Sequence, residues 1–158
     1  MTTTTGRERA RRARGDGGAA LVEFALVMVL LFTLVFGIIS FGLILSFKQD
    51  MTRAAAEGAR AGAVAFPSSE AQTKAQLALE DAVRSFGGPN WESSGCSRTG
   101  VTACTAVVAE CDNEPGVDCV TVTITYDYDA HPLYGEIPLI SGFFPDEISA
   151  ESVARINS

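Results

Sequence analysis

The chain has 158 residues, 47% of them hydrophobic and 20% charged, with four cysteines, one histidine and a formal charge of −7. That length suits one small domain, or a domain plus an appendage, and excludes a multi-domain enzyme, while the apolar fraction excludes a long disordered polymer. The charge is split: residues 1–18 stand at +3, and the rest, with seven basic and seventeen acidic residues, stands at −10. A short basic head on an acidic body is the pattern of a protein threaded across a membrane, and such a body repels the phosphates of a nucleic acid.

The head carries Arg7, Arg9, Arg11, Arg12 and Arg14 against Glu8 and Asp16. From residue 19 to residue 47 the only charge is Glu23, and residues 24–47 are an uninterrupted run of 24. As a helix rising about 1.5 Å per residue, this run is roughly 36 Å long. A hydrocarbon core is about 30 Å thick, so the run spans it with some tilt. The arginines before it predict an N-terminus in the cytoplasm and a C-terminal part outside. A cleaved secretory signal has an apolar region of only about 7–15 residues. Ala54-Ala55-Ala56 would suit its small-residue site but lies several residues beyond the span.

Glu23 stands five residues into the apolar run. A carboxylate at mid-membrane costs about 2.5–3.5 kcal/mol on the lenient insertion scale, and less near the interface. A snorkelling or protonated side chain at the boundary is one reading. The context Gly17-Gly18-Ala19-Ala20-Leu21-Val22-Glu23-Phe24 offers another. A cut after Gly18 would make Ala19 the first residue and Glu23 the fifth. The freed ammonium of Ala19 would then pair with Glu23 of a neighbouring subunit, offsetting the burial cost and setting the axial stagger between helices.

Residues 48–65 contain no proline and are rich in alanine, which predicts that the helix continues past the bilayer until Pro67 ends it. Ala54, Gly58 and Gly62 recur every four residues, as do Ala55, Ala59 and Ala63. This spacing lays a strip of small residues along one side, where another backbone can approach closely. The strip fits either packing on the protein's own outer domain or a contact between subunits. Arg53, Glu57 and Arg60 form a solvated charge ladder.

Ser68 or Ser69 is placed to cap a second helix reaching about Phe86, with Leu79, Ala82, Val83 and Phe86 inside and Glu80, Asp81 and Arg84 outside. Gly87-Gly88-Pro89-Asn90 breaks the chain. The period then changes to two. Residues 102–110 read as one strand. In a second, Val120, Val122, Ile124, Tyr126 and Tyr128 alternate with Thr121, Thr123, Thr125, Asp127 and Asp129. Asn113-Glu114-Pro115-Gly116 supplies the turn between them. After an irregular stretch holding Pro132, Pro138 and Pro145, residues 148–156 form a closing strand. The expectation is a small α+β domain with an antiparallel sheet.

Cys96, Cys104, Cys111 and Cys119 follow a C-x7-C-x6-C-x7-C spacing on the outer side of the span. An even number outside the cytoplasm reads as two disulfides, which constrain a loop-rich sheet with a small core. Four cysteines allow three pairings. The preferred one joins Cys111 to Cys119 across the turn and leaves Cys96 with Cys104. Zinc is disfavoured because C-x2-4-C knuckles are missing and His131 stands near no pair. No cofactor and no metal are expected. A single histidine gives no Ser-His-Asp set and no phosphate loop follows a strand, so the chain is not expected to be an enzyme. Asp127 and Asp129 read as the wet face of a strand. Arg14-Gly15-Asp16 spells an adhesion tripeptide inside the cytoplasmic head and is read as chance.

The glycine, four residues, then Glu-aromatic pattern formed by Gly18, residues 19–22, Glu23 and Phe24 resembles the signature of type IV prepilins. Within them it is similar to the TadE-like pseudopilins of tight-adherence (Tad, or Flp) pilus systems. The similarity continues through Gly37-Ile38-Ile39-Ser40-Phe41-Gly42 and Ala55-Ala56-Glu57-Gly58-Ala59-Arg60, covering roughly residues 15–65 closely. The chain departs at Met28-Val29-Leu30, where such proteins often have a proline, and at Ser40, where they often have a second acid. Neither departure touches the cleavage motif.

The resemblance implies a pilin-like fold, with a transmembrane helix over 19–47, a helix extension over 48–66 and an extracytoplasmic domain over 67–158. It implies cleavage of the leader, residues 1–18, between Gly18 and Ala19 by a membrane prepilin peptidase, with Glu23 as the assembly carboxylate. It implies as partners that peptidase, other pilins and pseudopilins, an assembly ATPase and a platform protein in the inner membrane. The expected function is that of a minor pilin, single-pass in the cytoplasmic membrane and then part of a surface fibre for adhesion. The alternative is an uncleaved single-span anchor whose outer domain binds a ligand or an envelope component.

Overall fold

A computed structural model describes residues 5–86, 95–112, 114–133 and 145–156, with side chains from residue 18 onward. The expected break at Gly87-Gly88-Pro89-Asn90, Asn113 of the expected turn and Pro138 lie outside the described residues, as does the side-chain placement of Arg14-Gly15-Asp16. A long helix, α1 (Thr5–Ala63), opens the chain. It is followed by a single 3-10 turn (Ser68–Glu70) and by helix α2 (Ala71–Arg84). After a second 3-10 turn (Gly95–Ser97) come strands β1 (Val101–Cys111), β2 (Glu114–Asp127) and β3 (Glu147–Arg155). The chain forms two compact units, Met1–Phe41 and Gly42–Ser158.

In the first unit, Leu21, Phe24, Leu30 and Ile38 are each more than 60% exposed. Water penalises such a surface and hydrocarbon favours it. The segment Gly18–Ala63 is long and apolar enough to cross a membrane. A polar group on a lipid-facing helix must find its partner within the helix. Thr33 does so by donating its Oγ1 hydroxyl to Val29 O at 2.9 Å.

The second unit layers helix on sheet. The last turns of α1 bury Ile44, Phe47, Met51, Ala54, Ala55, Gly58, Ala59 and Gly62 at three- and four-residue spacing, which is one stripe of a helix. Helix α2 adds Ala71, Ala75, Leu79, Ala82 and Val83. The sheet is antiparallel in the order β1-β2-β3. Its buried face carries Ala106 of β1, Val120, Val122, Ile124 and Tyr126 of β2, and Ile148 and Ala150 of β3. The period-two pattern thus sorts Val120, Val122, Ile124 and Tyr126 of β2 into the core. Each such side chain contributes roughly 1.5–3 kcal/mol of burial. Phe47 makes edge contacts with Phe86, with ring centres 6.0 Å apart, and with Tyr126 at 5.3 Å.

Two local expectations are corrected. Neither Ser68 nor Ser69 caps α2: its N-cap is Glu70, with no side-chain cap bond, because a 3-10 turn begun at Pro67 intervenes. The turn between β1 and β2 is also shorter than residues 113–116. Cys111 faces Glu114 and Glu110 faces Asp118, so residues 115–117 form a bulge within β2. Pro115 has no N–H for the ladder, and Gly116 sits at φ +81°, a conformation that glycine adopts without strain. Gly116 N–H donates to the Glu110 carboxylate, which fixes the bulge.

Candidate functional site

Gly18, Ala19, Glu23 and Phe24 all lie on α1, and all four are exposed. A Cβ built at Gly18 meets nothing within 4 Å, so the backbone there is open on the side where a side chain would stand. Ala19 and Glu23 are four residues apart and share one face of the helix. Glu23 is the only charged residue between 19 and 47, so the apolar unit has one ionisable feature along its described side chains.

The strip of small residues lies against the protein's own core. A Cβ at Gly58 would meet Ala75 O and Val122 Cγ1 at 3.2 Å and Leu79 Cβ at 3.3 Å. At Gly62 it would meet Val120 Cγ1 at 2.9 Å, Ala75 Cβ at 3.0 Å and Ala71 O at 3.1 Å. Ala54 is 1% exposed. The two glycines therefore let α1 approach both α2 and β2 within the second unit. Arg53, Glu57 and Arg60 are exposed. The expected span to residue 47 also contributes to this core, since Ile44 and Phe47 are buried.

The cysteines pair as Cys96–Cys104 and Cys111–Cys119, with Cα atoms 5.7 Å and 5.1 Å apart. The first bond ties the 3-10 turn at Gly95–Ser97 to β1, and the second joins β1 to β2 beside the bulge. Both are local, each closing a loop between residues eight apart. Such links stiffen a small sheet that has little core on its own.

His131 lies with Ser97, Arg98, Thr99, Tyr126, Ala130 and Pro132 around an open depression of about 550 Å³. Tyr126 donates its hydroxyl to His131 O at 2.8 Å. Asp127 has a structural task that alternation alone did not reveal. Its Oδ1 accepts from Ala130 N–H at 3.0 Å and so closes the turn after β2. Among the described residues, no group of three or more His, Cys, Asp or Glu side chains is gathered closely enough to hold a metal ion.

The fold and these residues define a class: an α+β protein with a long N-terminal apolar helix, suited to a membrane anchor, leading into a small disulfide-bonded antiparallel sheet domain. Residues 18–60 match the family model TadE-like protein, so this part of the chain is similar to that family. No curated protein and no solved structure matches the chain. The matched segment opens at Gly18 and closes at Arg60, taking in Glu23, Phe24, Ala54 and Gly58, and stops short of Gly62 and the four cysteines.

Proposed function

We propose that this protein is a minor pilin (pseudopilin) of a Tad, or Flp, pilus, and a structural part rather than a catalyst. The head, residues 1–18, stays in the cytoplasm and is removed by a prepilin peptidase between Gly18 and Ala19. The apolar helices then assemble side by side in the cytoplasmic membrane, and the disulfide-bonded domain faces outward towards other pilins in a surface fibre used for adhesion. The working partners are the peptidase, other pilins and pseudopilins, an assembly ATPase and an inner-membrane platform protein. The observation that carries this reading is the TadE-like match over residues 18–60, which starts at the glycine before the proposed cut.

Physical chemistry supports the roles of the individual residues. Gly17 and Gly18 are consecutive in α1, and each is about 0.8–1.0 kcal/mol less favourable than alanine in a helix interior. The helix is therefore easiest to unwind at the proposed cut. Glu23 then accepts the new ammonium of Ala19 from a neighbouring copy, a charge-assisted pairing that is stronger where water is scarce.

N-terminal sequencing with intact mass, on protein taken from its native membrane, tests the reading. A chain beginning at Ala19 is the expected result. A chain that keeps its arginine head in cells containing the peptidase would instead make this protein an uncleaved anchor, and its function would then reside in ligand binding by the sheet domain.

A further inference from the structure

Among the described residues, strand β1 is one edge of the three-stranded sheet. Residues 101–109 of that strand carry no charge and no proline. An edge of this kind presents unpaired N–H and C=O groups and invites another strand. The opposite edge, β3, carries Glu147, Glu151 and Arg155, and charges of that sort discourage pairing between copies. Beside the β1 edge, Gln76 of α2 donates from Nε2 to Cys104 O at 3.2 Å and accepts at Oε1 from Ala106 N–H at 2.9 Å. Cys104 and Ala106 flank Thr105, so one side-chain amide makes the pair of bonds that a residue of a neighbouring parallel strand would make. The amide is held in place by a further bond from Nε2 to Glu80 Oε1 at 3.2 Å, one turn along α2.

We propose that Gln76 acts as a surrogate strand residue that closes the β1 edge against pairing with a second copy of this chain. A second copy is the occupant the edge fits. The chain from residue 19 onward carries seven basic and seventeen acidic residues and so repels its own copies as a whole, whereas residues 101–109 offer a second copy an uncharged segment with no like charges to oppose. Gln76 occupies the two backbone groups at the centre of that segment, so strand addition must first displace it. The sheet can then face many neighbouring copies without fusing to them edge to edge.

The test compares full-length wild type with Q76A, and with Q72A as an exposed control on the same helix, in detergent micelles. In Q76A the Ala106 amide is expected to exchange its hydrogen about tenfold faster, as one net hydrogen bond of about 1.4 kcal/mol predicts. The protein mass by sedimentation is expected to rise above that of wild type at equal concentration. Adding Thr105→Lys to Q76A, which places a charge on the edge strand, should restore the wild-type mass. Q72A should match wild type in both readouts. The proposal fails if Q76A keeps the wild-type mass, or if its association survives Thr105→Lys, since contact would then run through another surface. Should Q76A fail to fold, Q76M decides the matter: its uncharged side chain has a similar length, makes neither bond to β1, and should associate and be rescued in the same way.

Discussion

Adding one methyl group at Gly62 tests whether the small-residue strip is used within the protein. The new Cβ would stand 2.9 Å from Val120 Cγ1, 3.0 Å from Ala75 Cβ and 3.1 Å from Ala71 O. Comfortable carbon–carbon contacts are about 3.5–4.0 Å, so β2 and the first turn of α2 must both give way. Alanine is favoured over glycine inside a helix by about 0.5–1 kcal/mol, whereas overpacking a filled core costs about 1–3 kcal/mol. The crowding wins, and Gly62→Ala should lose about 1 kcal/mol, or roughly 4 °C in Tm. Gly58→Ala, whose nearest contacts are 3.2–3.3 Å, should lose less. Gly42→Ala has nothing within 4 Å and should leave the sheet domain within about 0.5 kcal/mol of wild type. Pulse proteolysis across a urea series, on the full chain in detergent micelles, reads all three. A Gly62→Ala protein as stable as wild type, or more stable, would refute the reasoning and leave the strip free for another chain.

Two further outcomes are expected. Replacing Cys111 and Cys119 together by serine opens a link between residues eight apart, and the chain-entropy relation puts the loss at about 2.5 kcal/mol. The same urea series would measure it, and a midpoint within error of wild type would show that β1 and β2 hold their register without the bond. Glu23→Gln removes the charge while keeping the size and should leave membrane insertion and leader removal largely intact. The same variant should be depleted from sheared surface fibres, as quantified by immunoblot, and normal incorporation would count against the pairing of Glu23 with Ala19.

Much of the architecture follows from local pattern. The apolar run over 24–47 has only a helix as its economical form in hydrocarbon, because each backbone polar group must be satisfied within the segment. The alternation from Val120 to Tyr128 dictates a strand with one buried face, and those five residues are each 5% exposed or less. The disulfide pairing was open in principle, yet closeness in sequence and the turn between Cys111 and Cys119 favoured the arrangement seen. Local signals misplaced what depends on detail. Ser68 and Ser69 have the chemistry of a cap, but the chain enters α2 through a 3-10 turn that leaves them outside it. Asn113-Glu114-Pro115-Gly116 has the composition of a turn, but Pro115 and Gly116 fall in a bulge once the ladder fixes Cys111 opposite Glu114.

The sequence by itself determined the class of protein: a basic head, an apolar helix carrying Glu23 after Gly18, and a small cysteine-bearing α+β domain. Those features are periodic or compositional, and charge, hydropathy and spacing act over a few residues at a time. Only the tertiary structure decided what the strip at Ala54, Gly58 and Gly62 touches, because a surface shaped for close approach does not specify which backbone approaches it. It also decided the role of Gln76. One glutamine on a helix has no distinguishing pattern in sequence, and it matters here because folding sets its amide beside Cys104 and Ala106, 28 and 30 residues away along the chain.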